Sequence, residues 1–154
     1  MTNDEYTSSV DRGEWPDDRR VPLDEPFRNA SGSIQNLVLK PMTSVAAIES
    51  AAGTVRSNHY HLTDWHYIYV ASGSLAYLER PVGSSEIPHP VVFRKGEMFF
   101  TPPMAEHAIV FLEDTLIITM AKNVRSHESH EADLVRVSFL TPEIVKHILE
   151  SLCA

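Results

Sequence analysis

Three histidines, His59, His61 and His66, fall inside ten residues of the run SNHYHLTDWHYIYVASG, and His107 follows in GEMFFTPPMAEHAIVF. Imidazole nitrogens can ligate a transition metal or move a proton near neutral pH, provided that the rings converge. Residues two apart in a strand share a face, so His59 and His61 project together while Tyr60 points away. After the short turn Leu62-Thr63-Asp64, His66, Ile68 and Val70 share one face of the next strand, and Trp65, Tyr67 and Tyr69 share the other. His107, Ile109 and Phe111 line up in the same way. If the aliphatic faces point into a barrel, four imidazoles point inward with them. Buried polar groups without partners cost about 1–3 kcal/mol each, a cost that one shared divalent cation would remove for all four.

The elements that must position these rings are short strands. SIQNLVL, SVAAIES, DWHYIYVA, SLAYLER, VVFRKGEMFF, HAIVFLED, LIITMAK and LVRVSFL are each rich in β-branched or aromatic residues, and turn signals separate them. Consecutive strands around Ser72-Gly73-Ser74 are predicted to pair as antiparallel hairpins, and PVGSSEIPHP is predicted to be a loop. Eight or nine strands at this spacing predict an all-β sandwich or barrel. One α-helix is expected at the C-terminus. There Thr141 is the N-cap, Pro142 takes the first helical position, and Ile144, Val145, Ile148, Leu149 and Leu152 form one apolar face.

At 154 residues and 43% hydrophobic, the chain is expected to form one domain. Its single cysteine, Cys153, rules out a disulfide framework or a cysteine zinc site, so any metal must be held by nitrogen or oxygen. The net charge of −8 argues against nucleic acid and anionic lipid as partners and for a small molecule. No apolar run approaches the ~18 residues that cross a bilayer, and the N-terminus has no signal-peptide pattern, so a cytoplasmic location is expected. Residues 1–30 read as an acidic, extended or partly disordered segment that Trp15 and Phe27 could pin down. Residues 31–140 read as the barrel, and 141–154 as the helix.

Gly53-x5-His59-x-His61-x4-His66-x6-Gly73 resembles the first cupin motif, and Gly96-x5-Pro102 followed by His107 is similar to the second. The resemblance implies a double-stranded β-helix, the jelly-roll barrel of the RmlC-like cupins, with His59, His61, His66 and His107 as metal ligands. His66 stands where the family usually has Glu, Met104 where it has Gly, and Phe111 where it has Asn. The first change resembles the cupins that hold metal by four imidazoles, and the other two make the surrounding wall more apolar. Four neutral nitrogens favour one Zn, Fe, Ni, Cu or Mn ion over Mg or Ca.

The expected function is therefore a metal-binding cupin, an enzyme acting on a small oxygenated or enolisable molecule by dioxygenase- or isomerase-type chemistry. The alternatives are a metal-free sugar-nucleotide isomerase or epimerase, in which histidine acts as base, and a non-catalytic sensor. Arg56 is expected at the pocket mouth for an anionic group, with Met104 and Phe111 as further substrate contacts. Arg125, His127, Glu128, His130, Glu131, Asp133 and Arg136 read as a salt-bridged loop or subunit contact rather than a lid. His89, His127, His130 and His147 read as ordinary surface or core residues. Tyr60, Tyr67, Tyr69 and Tyr77 are placed outward, and the aromatic face bearing Trp65 predicts a homodimer unless the C-terminal helix covers it.

Overall fold

The strands form where the alternation predicts them, but they pair differently. The computed structural model describes residues 16–153. Its strands are β1 (Arg20–Val21), β2 (Phe27–Asn29), β3 (Gly32–Ile34), β4 (Ser44–Ser50), β5 (Val55–His61), β6 (His66–Ser72), β7 (Ser74–Pro81), β8 (Val91–Arg94), β9 (Met98–Thr101), β10 (Ala105–Phe111), β11 (Thr115–Ala121) and β12 (Leu134–Arg136). Two helices, α1 (His127–Asp133) and α2 (Pro142–Leu152), complete the described residues. One antiparallel sheet has the order β1-β9-β6-β11-β4 and the other β12-β5-β10-β7-β8, with β2-β3 as a separate hairpin. From β4 to β12 the chain passes to the opposite sheet at each step except β7 to β8. This is the expected jelly-roll barrel, closed by a short C-terminal helix.

Gly73 explains why β6 and β7 do not pair as a hairpin. It takes φ +84°, a left-handed conformation natural to glycine, and the chain crosses there from one sheet to the other. A Cβ at Gly73 would press against Thr115 Oγ1 and come within 2.5 Å of the Asp114 carbonyl oxygen. VVFRKGEMFF is likewise two strands, β8 and β9, in different sheets, because the chain turns through Lys95-Gly96 with Gly96 at φ +88°. SIQNLVL contributes only the end of β3, and LVRVSFL only β12.

Between the sheets, Ile68, Val70, Leu75, Tyr77, Phe93, Phe99, Ile109, Phe111 and Ile117 form the central core. On β6 and β10 the histidines precede these aliphatics at the same parity, so one end of the interior is apolar and the other carries imidazole. The outer faces are covered within the chain. Trp65, Tyr67, Met98, Phe100 and Met120 pack beneath Val21, Leu23, Leu37, Val38 and Met42, leaving Trp65 3% and Tyr67 6% exposed. Leu37 and Val38 of SIQNLVL are spent on this cover rather than on a ladder. On the other sheet α2 covers Ala76, Leu78, Ala108 and Val110 through Ile148, together with Phe139 and Leu140. Thr141 caps α2 as expected, its hydroxyl accepting from Ile144 N at 3.3 Å.

Three expectations change as a result. The aromatic surface that predicted a homodimer is buried by residues 21–42, whereas α2 covers the opposite sheet. The folded region begins ahead of residue 31, because Arg20 and Val21 pair with Phe99 and Met98. Phe27 does not pin the segment, being 62% exposed, and Trp15 lies outside the described residues. Among those residues, no helix is long and apolar enough to cross a membrane. Gly73→Ala is expected to destabilise the fold by about 2–5 kcal/mol, the sum of left-handed strain and overpacking. Denaturant unfolding measures it, and a variant within 1 kcal/mol of the parent would contradict the crossing described here.

Candidate functional site

The histidines converge because a bulge keeps β5 in step with β10. His59 pairs with His107, but Ala108 pairs with Ser57, so Asn58 is the extra residue between them. Ser57 and Asn58 adopt φ +70° and +63°, and Asn58 offers its carbonyl to Val137 N at 2.9 Å. Ring centroids then lie 4.8 Å apart for His59–His61, 4.9 Å for His59–His107 and 5.7 Å for His61–His107. Ligating nitrogens of these three residues all fall within 4.8 Å of one another. His66 stands at the side of that trio, 5.4 Å from His61 and 6.1 Å from His107 between centroids.

A cavity of about 300 Å³ opens against His59, His61 and His66. Ile48, Ile68, Ile109 and Ile117 form its apolar wall, and Arg56, Arg125 and His130 stand among the polar lining. Arg56 is aimed from β5 by donating to Ser50 Oγ at 2.6 Å and to the Glu49 carbonyl at 3.0 Å. Met104 and Phe111, expected beside the substrate, do not line this cavity. Met104, at φ +58°, is 51% exposed, and Phe111 is buried in the central core. Tyr77 is also placed differently from its expected outward position. It is inside the barrel with its ring 6.3 Å from that of His107, and its hydroxyl donates to Glu79 Oε1 at 2.6 Å. Burial, reinforced by Glu79, pushes its phenol pKa well up.

Helix α1 brings in residues that the sequence reading set aside. Ser126 caps it by accepting from Ser129 N, and Glu128 lies in its first turn. His130 comes to 5.5 Å from His61 and 6.3 Å from His59 between ring centroids. Asp133 lies with Oδ2 3.2 Å from His61 Nδ1, and its Oδ1 accepts from Thr63 N and Thr63 Oγ1 at 2.9 and 2.6 Å. The Ser126 cap followed by His130 and Asp133 three apart was the available signal, since that spacing places both on one side of a helical turn. His89, His127 and His147 are exposed, as expected.

Burial keeps His59, His66 and His107 uncharged. Burial first, then the neighbouring His107, His61 and His130, lowers the His59 pKa to about 2. Burial holds His107 at about 4, although its hydrogen bond to Ala105 pulls the other way. His66 is depressed well below the usual range by burial, then by His61 and His107. Burial raises the Asp133 carboxyl, but hydrogen bonds from His61, Thr63 and Asp64 outweigh it and leave the pKa lowered. Burial pushes Asp64 up, against an opposing hydrogen bond from Asn123 N.

These residues fit a transition metal. His107 Nδ1 donates to the Ala105 carbonyl at 2.9 Å, so its lone pair is on Nε2, which is buried and has no hydrogen-bond partner among the described residues. Three converging imidazoles, one of them with such an orphaned nitrogen, form a donor set that a divalent cation would complete.

No family model matches the sequence, and no curated protein matches it. Solved structures match it in shape. The sugar 3,4-ketoisomerase QdtA of Thermoanaerobacterium thermosaccharolyticum, solved with TDP, superposes with a TM-score of 0.59 at 10% identity, covering 82% of this chain and 90% of that one. The RmlC epimerase of Mycobacterium tuberculosis gives a TM-score of 0.64 at 12% identity, covering 82% and 71%. Legionella pneumophila RmlC, solved with dTDP-4-keto-L-rhamnose, gives 0.59 at 13% identity, covering 79% and 73%. The fold is therefore that of the RmlC-like cupins.

The depressed histidines predict an acid-sensitive fold. Between about pH 4 and 6.5 the unfolded chain binds protons at positions 59 and 107 that the metal-free native state does not, so stability falls as pH drops through that window. Urea midpoints for metal-stripped protein at pH 7, 6 and 5 should decline in that order, and a flat series would contradict the neutral cluster.

Proposed function

We propose that this protein is an isomerase- or epimerase-type enzyme that moves a proton beside the carbonyl of a small hydroxy-ketone, sugar-like in size and polarity, in the histidine-lined cavity. His59, His61 and His107 would hold one divalent transition metal, with His66 available as a fourth ligand. The convergence of three imidazole nitrogens around the orphaned His107 Nε2 carries this reading. A cation held there would supply Lewis acidity to a substrate oxygen. The keto-sugar and TDP complexes of the structural neighbours support the isomerase branch over an O2-activating one.

The chain's own residues then have distinct tasks. Arg56 and Arg125 give the cavity a cationic rim in a protein of net charge −8, suited to an anionic substituent. The four isoleucines exclude water from the reacting carbon. His130, at the mouth and only partly buried, is placed to exchange protons with solvent.

The same neighbours support a second reading, in which a histidine serves as base without metal. The low pKa values disfavour His59 and His107 for that task, because a general base works best with a pKa near the operating pH. One experiment separates the two. Incubating the protein with a 4-keto-6-deoxysugar nucleotide in D2O should place deuterium beside the carbonyl. Exchange should cease after chelation, return with added Zn, Fe, Ni, Cu or Mn, and fall by at least ~10²-fold in His107→Ala. Exchange that persists in metal-free protein would favour the base-only reading, and no exchange with any hydroxy-ketone would remove the isomerase assignment.

A further inference from the structure

The mouth of the site is closed on one side by α1, a helix of seven residues with no buried side chain. A helix so short and exposed contributes little to the core, and what it contributes to the site is His130 at the mouth and its last residue, Asp133. Asp133 receives four hydrogen bonds. Oδ1 accepts from Thr63 N and Thr63 Oγ1, and Oδ2 accepts from Asp64 N at 3.1 Å and lies 3.2 Å from His61 Nδ1. His61, Asp64 and Asp133 together could be mistaken for a separate cation site, since their ligand atoms lie within 4.8 Å of one another. That use is blocked, because donors already engage both Asp133 oxygens and Asp64 Oδ1 accepts from Asn123 N at 2.9 Å.

We infer that Asp133 is the positioning residue of the histidine site, holding His61 as its Nδ1–H tautomer so that the Nε2 lone pair is presented to the cavity. A carboxylate can only accept, so the imidazole nitrogen facing it must be the one that carries hydrogen. His107 is set in the same tautomer by a different acceptor, the Ala105 carbonyl. Two rings on neighbouring strands are thus fixed with the same nitrogen free, one by local backbone and one by a helix 72 positions away in sequence. Outer partners of this kind orient a ligating or proton-transferring imidazole and are worth roughly 10–100-fold in metal affinity or activity. The inference rests on the histidine cluster being the working site, whether its nitrogens take a metal or a proton.

Replacement by asparagine is informative because it preserves shape and reverses one end of the group. The bonds to Thr63 are the shorter pair, so the amide oxygen stays with Thr63 and the NH2 turns toward His61, which must then move its own hydrogen to Nε2. The tautomer is read directly by long-range 1H–15N correlation NMR of metal-free, 15N-histidine-labelled full-length protein, with the His61 signals assigned through His61→Gln. The wild type should show Nδ1–H at His61. Asp133→Asn and Asp133→Ala should both shift it toward Nε2–H, while Thr63→Val, which removes the hydroxyl's bonds to Asp133 and Asn123 but keeps the backbone bond from Thr63 N, should lower the melting temperature and leave the tautomer unchanged. Cobalt(II) titration should give a Kd roughly 10–100-fold weaker in Asp133→Asn and near wild type in Thr63→Val. Nε2–H at His61 in the wild type, a measurement that needs no variant to fold, would overturn the inference. So would an unchanged tautomer in Asp133→Ala, or unchanged cobalt affinity once the tautomer has moved. Failure of the wild type to bind cobalt would count against the metal reading alone and leave the tautomer result standing.

Discussion

Because each strand of a closed two-sheet barrel sends every second side chain inward, the inward positions of β5, β6 and β10 must either join the apolar core or be satisfied among themselves. Ile68, Val70, Ile109 and Phe111 take the first course. His61, His66 and His107 occupy the same inward rows one step nearer the open end and take the second. Placing imidazole in such rows is tolerable only if the rings are neutral and have acceptors or electrophiles within reach, which is the state that burial imposes on His59, His66 and His107. The chemistry of the site is thus the reverse side of a packing rule. The apolar end gives the barrel rigidity, and that rigidity holds the polar end at fixed distances.

The bulge at Asn58 adjusts this geometry. Without an extra residue, a strict register would shift the residues before His59 relative to β10 and change which face Arg56 presents. With Ser57 and Asn58 in left-handed conformations, β5 returns to step at the histidine that pairs with His107. Strain of this kind, on the order of 1–3 kcal/mol per residue, persists where surrounding contacts over-determine it. Here those contacts are the β10 and β12 ladders on either side of β5.

Much of this was legible in the sequence, because alternation and the cupin-like spacing are local signals. The spacing from Gly53 to Gly73 identified His59, His61 and His66, and parity sent them inward. The same parity misplaced Tyr77, because it was applied to an element whose inner face had not been independently fixed. Its neighbour Glu79 carries a charge that reads as outward until its pairing with Arg19 is known. The pairing of strands was not legible, since Gly73 marks a tight turn in a hairpin and a sheet-to-sheet crossing alike, and only the crowding by Asp114 and Thr115 distinguishes them. Residues 21–42 carried aliphatics with no clear period, because they cover a surface instead of extending a ladder. His130 and Asp133 were read as part of a charged loop or subunit contact because a seven-residue helix of charged residues has no apolar face to announce it.

The order in which the chain emerges during synthesis has a consequence for this arrangement. His59, His61 and His66 leave the ribosome early, but β5 finds its ladder partners only in β10 and β12, and His61 meets Asp133 only 72 residues later. At about 5–20 residues per second, His61 waits roughly 4–14 s for Asp133. During that interval the alternating sheets cannot close, since β4, β5, β6 and β7 each border a strand made later. The nascent protein therefore carries its histidine cluster as an open, unpaired segment, and the barrel and its site are completed together once Asp133 and β12 have emerged.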